Sequence, residues 1–437
     1  MSSPATNSRP RENAADTSDK VLRWPLESAS HRTRFLAAGI AVIALFVAWV
    51  AGDYAAKVLA GSLRPERVAL AARLDPLNAA YHHILGRISF YDRQDFPAAL
   101  EHYRTATRLN RYSARYWLDL ANTQQIMAQP EDSRKSLENA LASDPTNPQI
   151  ASEAANYYLV LGDTPRALNL LGMTVRYSPE DARSAIELSW RATQDANVVT
   201  DQVLPHTPEA YLMFLQLLME RRQTDATAQV WQALMELKQS VSPEATFPYI
   251  QYLLDEGEVG RARAAWDQLM RRDEALRGYI AAGNLVSNGG FEEDILNGGF
   301  SWRYQSDPHV ALAIDQREAY QGRRSLAIAF DGEAVQDAGI YQLIVVEPNS
   351  EYRVGARVKT EGMEGAGGPQ LAVIDRYSRK QFYLSAEFTG TTAWREVGGE
   401  FRTEADTKLL MLRIVRVPGT TRVRGRMWLD EVSVVRK

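Results

Sequence analysis

A run of eighteen uncharged residues near the N-terminus, Phe35 to Gly52, constrains this chain more than any other feature. As an α-helix it would be about 27 Å long, close to the thickness of the hydrocarbon core of a bilayer. A backbone in lipid must satisfy its own hydrogen bonds, so such a run crosses as a helix. The sequence therefore predicts a transmembrane helix over residues 35–52.

The charges on either side of this run predict its orientation. Arg32 and Arg34 precede it and Asp53 follows it, and basic residues near a span favour the cytoplasmic side. We expect a disordered cytoplasmic tail over residues 1–34, because that segment is polar and poor in large apolar groups. The protein would then be a single-pass protein of the cell inner membrane, with most of its chain periplasmic.

Two alternatives to an anchor stay open for the apolar run. A cleaved signal peptide has the same charge polarity, although its leader is usually shorter than the 34 residues found here. A buried helix of a soluble domain usually carries a polar stripe, and this run has none.

Composition excludes several functional classes. The chain has no cysteine, so it has no disulfide framework, thiol catalysis or cysteine-bound zinc. Its net charge is −4 and no segment is basic overall, so we expect no nucleic-acid partner. None of the six histidines has the spacing of a zinc ligand, and no phosphate loop or nucleophile with its base is recognisable. We therefore expect a protein that is not an enzyme and uses no catalytic cofactor.

A repeat of thirty-four residues organises the segment 63–280, which is rich in Ala, Leu, Glu, Arg and Gln. Three positions of the repeat, i, i+4 and i+7, share a pattern: small residues occupy the first and third of them, and a bulky residue occupies the second. The three sets are Ala99, Tyr103 and Ala106; Ser133, Leu137 and Ala140; and Ala167, Leu171 and Thr174. Positions i, i+4 and i+7 share one helix face, so this pattern predicts helices packed closely in pairs.

The repeat resembles the tetratricopeptide repeat family. Trp117 with Leu120-Ala121, Leu85-Gly86 and Gly162-Asp163 match positions of that family. The resemblance implies an all-α solenoid whose groove holds a partner protein, and the alternative is a spacer that only separates the distal domain from the membrane. The period fails over residues 191–206, where we expect an irregular connection. Candidate groove residues on the inner helices are Asn122, Gln125, Asn156 and Tyr157.

At residue 284 the pattern changes to that of β-strands. Tyr352, Val354, Ala356 and Val358 alternate with polar or small residues, which indicates strands with one buried and one wet face. Several short strands separated by turn signals predict an antiparallel sandwich over residues 284–437.

The two ends of this segment resemble the jelly-roll carbohydrate-binding modules of the family 4 and 9 type. Residues 284–292 read NLVSNGGFE and residues 427–434 read MWLDEVSV. The resemblance implies a sandwich that binds saccharide. It also implies one structural calcium ion, carried by Glu292 and Asp430, and oxygen ligands of this kind suit calcium.

Saccharide binding needs exposed aromatic faces and polar groups. The candidate aromatic residues are Tyr304, Tyr377, Phe382 and Tyr383, whereas we expect Trp302 and Trp394 to lie in the core. On a strand, the residues Arg422, Arg424, Arg426 and Trp428 share one face. A row of arginines suits an acidic polysaccharide, and the alternative is a solvated face neutralised by acids on neighbouring strands.

These features together predict a multidomain fold: a transmembrane helix, a tetratricopeptide-like helical solenoid and a C-terminal all-β jelly roll. The corresponding hypothesis is a non-catalytic scaffold in cell-envelope or exopolysaccharide assembly or export. Two rivals remain: a glycan-active hydrolase or transferase accessory, and a protein-only scaffold whose sandwich binds no sugar. Two facing acids in the groove of the sandwich would favour the enzyme.

Overall fold

The computed structural model describes residues 29–272, 274–279 and 283–437, so most of the predicted cytoplasmic tail lies outside the described residues. The chain divides into two compact units, one ending at Pro145 and the other running from Thr146 to Lys437. Helices fill the first unit, and the second unit holds further helices and a β-sandwich. This order of elements confirms the predicted fold class.

Helix α1 spans Ala29–Gly61 and contains the whole predicted span. Its apolar side chains are exposed from Phe35 to Val50, and within the described residues it alone is long and apolar enough to cross a membrane. Its last two turns differ, because Ala56 and Ala60 are buried in a small cluster with helix α2, Pro65–Leu74. The helix thus runs beyond the apolar run and ends inside the folded part of the first unit.

Twelve further α-helices of the described chain follow, most of them packed in consecutive pairs. A π-helical turn, Ile88–Asp92, extends α3, and a 3-10 helix, Glu274–Tyr279, follows α14. The α-helices are α3 Ala79–Arg87, α4 Phe96–Leu109, α5 Ala114–Ile126, α6 Pro130–Ser143, α7 Pro148–Val160, α8 Thr164–Tyr177, α9 Pro179–Thr193, α10 Ala196–Gln202, α11 Pro208–Glu220, α12 Thr224–Glu236, α13 Pro243–Asp255 and α14 Val259–Arg272.

The repeated positions explain how these helices pack. All nine residues of the three repeat sets are buried, in α4, α6 and α8 respectively. Close approach is tightest at Gly86 of α3, where an added Cβ would lie 2.6 Å from the ring of Tyr103. Proline at the first or second position of several helices and the Asp95 and Asp163 side chains at the N-termini of α4 and α8 set where helices begin.

The predicted irregularity over residues 191–206 is confirmed. Helix α9 ends at Gln194 in the left-handed region, with φ 49°. The short helix α10 then occupies the connection, and α11 starts only at Pro208. The thirty-four-residue spacing is lost because this extra helix separates two neighbouring pairs.

The sandwich contains two antiparallel sheets of five strands. The strands are β1 Arg303–Tyr304, β2 Val310–Asp315, β3 Ser325–Ala334, β4 Asp337–Val345, β5 Glu351–Glu364, β6 Pro369–Asp375, β7 Gln381–Leu384, β8 Gly390–Arg402, β9 Leu409–Arg416 and β10 Arg422–Arg436. Sheet A has the order β1-β4-β9-β6-β7, and sheet B has the order β2-β3-β10-β5-β8.

One apolar core fills the space between the sheets. Tyr352, Val354, Ala356 and Val358 all lie in it, which confirms the predicted alternation of β5. Alternate residues of each strand therefore face outward, and the outer faces of sheets A and B are left to carry polar groups.

Within the second unit, the last two helices pack against the sandwich. The ring of Trp266 in α14 lies 6.2 Å from that of Phe300, at 73°. At Gly299, φ is +55° and an added Cβ would lie 1.9 Å from the Trp266 ring. Tyr377 donates a hydrogen bond to the carbonyl of Leu254 in α13, at 2.7 Å. These contacts join the outer face of sheet A to α13 and α14.

Candidate functional site

A polar row crosses the outer face of sheet A. Arg303 of β1 pairs with Tyr341 of β4, and Tyr341 pairs with Arg413 of β9. Residues directly opposite one another across a sheet point to the same face. The sheet therefore brings two guanidinium groups and a phenol into line, although they come from distant parts of the sequence.

A cleft of about 520 Å³ lies over this row, within the usual range of small-ligand sites. Four arginines and two aspartates contribute to its walls, together with Gln251 of α13. The charged residues are Arg303, Arg376, Arg379, Arg413, Asp307 and Asp337.

The four arginines are held to different degrees. Arg303 is buried and donates to the carbonyl of Gly299, and burial lowers its pKa. Arg376 lies 3.7 Å from Asp255 of α13. Arg413 pairs with Asp337, while its Nε is buried and has no hydrogen-bond partner in the described part of the chain. Arg379 lines the cleft and is exposed. Among the residues that the structure describes, the Arg379 guanidinium has no ion pair, so an anionic ligand would meet one unpaired guanidinium and three that are already oriented.

Asp337 is the acidic group nearest to this row. Burial raises its pKa, and the neighbouring Arg413 opposes that effect. Its carboxylate also accepts a hydrogen bond from the backbone N–H of Gly339 at 2.7 Å. Asp337 thus fixes Arg413 in place, since one buried charge is satisfied by the other.

Helix α13 supplies one wall of the cleft. Gln251 accepts a hydrogen bond from Arg303 Nη1 at 2.5 Å and donates another to Asp255 at 2.7 Å. Asp255 in turn faces Arg376. A continuous polar chain therefore links α13 to β1 and to the turn after β6, so the cleft is built by the sandwich and the helices of the second unit together.

The structure does not bring the four predicted saccharide-binding aromatics together. Tyr304 is exposed on β1, and Tyr377 is engaged with α13 through its hydroxyl. Phe382 and Tyr383 pack against the core, with the Phe382 ring 6.1 Å from that of Phe401. The last two residues therefore help to close the edge of the sandwich rather than offer a free ring face.

The predicted arginine row lies on the outer face of sheet B, away from the cleft. Arg422, Arg424 and Arg426 are exposed, whereas Trp428 is only 3% exposed and donates to Asp315 at 2.9 Å. The pairing register places acids beside the row. Arg424 stands opposite Asp331 and Glu364, and Arg426 stands opposite Glu361. This arrangement agrees with the alternative of a face neutralised by neighbouring strands.

Trp302 and Trp394 differ in burial. Trp302 is a core residue, as predicted, and stacks on Phe291 with ring centroids 5.1 Å apart. The same prediction is wrong for Trp394, which is half-buried on β8 and contacts Tyr320. Arg395 stands opposite the core residue Val358 of β5, so the residue before it, Trp394, points to the outer face of the sheet.

The four groove candidates lie on helices as predicted. Asn122 and Gln125 belong to α5 and are half-buried, and no hydrogen-bond partner of the Gln125 side-chain oxygen lies among the described residues. Asn156 is exposed on α7 and donates to the carbonyl of Ser152, and Tyr157 next to it is half-buried.

The proposed calcium ligands lie close together in the second unit. Around Gly290, an added Cβ would lie 3.2 Å from Glu431 Oε1 and 3.7 Å from Asp430 Oδ1, with the Glu292 side chain next to them. Burial raises the pKa of Asp430 and of Glu431, and each carboxylate is repelled by its neighbours. The donor chemistry therefore fits calcium, although within the described residues no group of three His, Cys, Asp or Glu has the spacing of a metal site.

Backbone donors already hold two of these carboxylates. Glu292 Oε1 accepts from the N–H groups of Arg323 and Arg324, and Asp430 Oδ2 accepts from those of Tyr320 and Gln321. Both acids thus fasten the connection between β2 and β3, whatever else they bind.

Comparison with known proteins agrees with this architecture. Residues 283–417 match the family CBM 4/9, described as a carbohydrate binding domain. The C-terminal domain is therefore a jelly roll of this carbohydrate-binding type, and glycan contact is the role that the family supports. No curated protein matches the chain.

Solved structures similar to the chain include a CBM4 domain, at 12% identity and a TM-score of 0.28, covering 35% of this chain and 99% of that one. Another is the CBM22-1 xylan-binding domain of Paenibacillus barcinonensis Xyn10C, at 20% identity and a TM-score of 0.27, covering 36% and 97%. A third is TmCBM61 in complex with β-1,4-galactotriose, at 20% identity and a TM-score of 0.25, covering 36% and 100%.

Sequence reasoning missed the cleft residues. One signal was available: Arg413 stands in β9, LLMLRIVR, where the residues on both sides of the strand are otherwise mostly apolar. Arg413 is the only cation among the first seven residues of this strand, which indicates a covered polar site on one face. The contribution of α13 had no comparable signal, because it depends on how the helices pack against the sandwich.

Proposed function

We propose that the chain is a membrane-anchored, non-catalytic scaffold whose sandwich binds an acidic saccharide in the sheet A cleft. The observation that carries this proposal is the row of arginines over the cleft, of which Arg379 is exposed. Guanidinium groups form paired hydrogen bonds with carboxylates and other oxyanions. The family match over residues 283–417 supports saccharide as the ligand.

The remaining parts of the proposal rest on the helices. The thirty-four-residue repeat supports tetratricopeptide-type units that bind a partner protein, and helix α1 supports a single-pass anchor in the inner membrane with the rest of the chain periplasmic. A membrane anchor, a partner-binding array and a saccharide-binding domain together fit a role in assembling or exporting surface polysaccharide. This last step joins modules by association, since a fold alone does not fix a function.

Calcium is proposed as a structural ion at Glu292 and Asp430. It would offset the burial that raises the pKa of Asp430, beside which the Glu292 and Glu431 side chains lie. A higher midpoint of thermal unfolding with calcium than with a chelator supports this assignment, and equal midpoints contradict it.

Binding of oligogalacturonate to the full-length protein in detergent tests the cleft. We expect Arg379→Gln to weaken binding roughly tenfold or more, because a hydrogen bond to a charged group is lost. The matched control is Arg422→Gln, which removes an exposed arginine from the other sheet and should leave binding unchanged. Equal affinity of the wild type and Arg379→Gln, or a loss caused by Arg422→Gln, would contradict the cleft as the site.

A glycan-active enzyme is the second candidate, and one observation favours it. Asp307 and Asp337 both line the cleft, and burial raises the pKa of Asp337, as paired carboxylates of hydrolases require. The same incubation distinguishes the candidates, since shortened oligosaccharides would appear only with an enzyme. If release occurs and Asp337→Asn abolishes it, the non-catalytic proposal is wrong.

A further inference from the structure

Trp394 is the one tryptophan of the sandwich whose indole N–H has no hydrogen-bond partner within the described residues. Trp302 donates to the carbonyl of Asn288 at 3.0 Å, and Trp428 donates to Asp315 at 2.9 Å. Both of those rings are buried, whereas Trp394 is half-buried on the outer face of β8. The Trp394 N–H can therefore donate to solvent or to an oxygen atom of a ligand.

Tyr320 stands beside it and enlarges the aromatic surface. The two ring centroids are 6.1 Å apart at 61°. Tyr320 is 44% exposed, and Arg357 lies over its ring with the guanidinium carbon 4.6 Å from the centroid. One side of Tyr320 is thus supported by a cation, and the angled pair leaves aromatic surface open to solvent.

The backbone that carries Tyr320 is held in place. The N–H groups of Tyr320 and Gln321 donate to the buried carboxylate of Asp430, at 2.8 and 3.2 Å. Three residues on, Arg323 and Arg324 donate to Glu292 in the same way. The aromatic pair is therefore presented without a further ordering step, which removes an entropic cost of binding.

Polar groups around the pair are balanced in charge. Arg357 pairs with Glu396 at 2.9 Å, and Lys359 pairs with Glu318 at 2.7 Å. These groups offer both donors and acceptors to hydroxyls, with no excess of either sign. The surface differs in this respect from the sheet A cleft, where arginines predominate.

We propose that Trp394 and Tyr320 form a second saccharide-binding site, on the outer face of sheet B, for uncharged pyranosides. The flat C–H face of a sugar ring stacks on Trp394, the indole N–H donates to a hydroxyl, and Arg357 and Glu396 contact neighbouring hydroxyls. This site is separate from the sheet A cleft and does not depend on the function proposed for it. The sandwich then carries two saccharide sites on opposite faces.

Titration of the full-length protein in detergent with cellohexaose and with xylohexaose tests the second site by calorimetry. We expect Trp394→Ala to weaken binding by at least about tenfold, the usual effect of losing one stacking ring. Trp394→Tyr should keep most of the affinity, because it keeps an aromatic face and a polar tip. Tyr320→Ala is an independent second variant and should weaken binding less. The matched control is Arg379→Gln, which should bind these neutral probes as the wild type does.

Three results would overturn the second site. The first is that the wild type binds neither neutral probe. The second is that Trp394→Ala and Tyr320→Ala both bind the probes as tightly as the wild type does. The third is that Arg379→Gln abolishes binding of the neutral probes, which would place their site in the cleft. A cleft that binds no acidic saccharide gives a different pattern. The wild type would then not bind oligogalacturonate, while its binding of cellohexaose would still be weakened by Trp394→Ala.

Discussion

Single residues of the sandwich show how polar groups are kept within an apolar fold. Arg416 is 2% exposed, yet its guanidinium donates to the carbonyls of Gly367, Val335, Thr421 and Ala366. Arg413, three residues earlier, faces the cleft instead. The odd spacing puts the two on opposite faces of β9, and Arg416 shares its face with the core residues Leu412 and Ile414. One arginine therefore fastens loops, and the other is available to a ligand.

The titration of Asp337 gives a prediction at this scale. Because burial raises its pKa in the folded protein, the unfolded chain loses this proton first as the pH rises. The free energy of unfolding should therefore fall as the pH rises from about 4, the ordinary value for aspartate, through the raised pKa.

Asp337→Asn should lack this component. Thermal unfolding of the wild type and the variant from pH 4 to pH 8 measures this component. The midpoint temperature of the variant should rise relative to that of the wild type as the pH increases. Midpoints that stay parallel over the whole range would show that Asp337 titrates as it does in the unfolded chain.

At the scale of elements, helix α1 combines two environments. Its exposed apolar part, Phe35 to Val50, suits lipid, and its end at Ala56 and Ala60 packs in protein. The sequence predicts β5 because apolar residues recur at every second position of that strand. It predicts the helical array because the same pattern of small and bulky residues recurs every thirty-four residues. The extra helix α10 could be placed only as an interruption, since no periodicity describes it.

Membrane extraction tests α1. We expect the full-length protein to stay with the membrane pellet through alkaline carbonate, because about eighteen apolar residues in lipid resist removal. Two aspartates introduced at Val42 and Leu45 should release it to the supernatant, since each charge near the centre of a span costs about 3 kcal/mol. Release of the wild type by carbonate would contradict an anchor, as would a mature protein that begins after residue 52.

At the scale of the whole molecule, the second unit joins helices and sandwich through α13 and α14. The sequence predicts a helical array and a β domain, and it places their border near residue 284. It contains no sign that Gln251 and Trp266 would contact the sandwich, because such contacts depend on three-dimensional packing and follow no period. The cleft was missed for the same reason, whereas the proximity of Glu292 and Asp430 was predictable because a sequence motif carries both residues.

Trp266→Ala tests this joint. We expect the free energy of unfolding to drop by about 3–5 kcal/mol, the usual cost of removing a large buried ring. Oligogalacturonate affinity should fall as well, since Gln251 would no longer be held against Arg303. Thermal unfolding and calorimetry measure the two effects. Tyr177→Ala, an exposed aromatic of α8, is the control and should change neither quantity. If Trp266→Ala unfolds at the same temperature as the wild type, the contact between Trp266 and the sandwich contributes little to the free energy of unfolding.

The hydrogen bond between Arg303 and Gln251 bears on how this protein could have arisen or be re-engineered. Carbohydrate-binding domains are often treated as interchangeable cassettes. Here, a sandwich excised at residue 283 would leave Gln251 and Asp255 behind, and Arg303 and Arg376 would lose those contacts. If the cleft binds saccharide as proposed, a graft of the sandwich alone would transfer the fold without every group that lines the cleft.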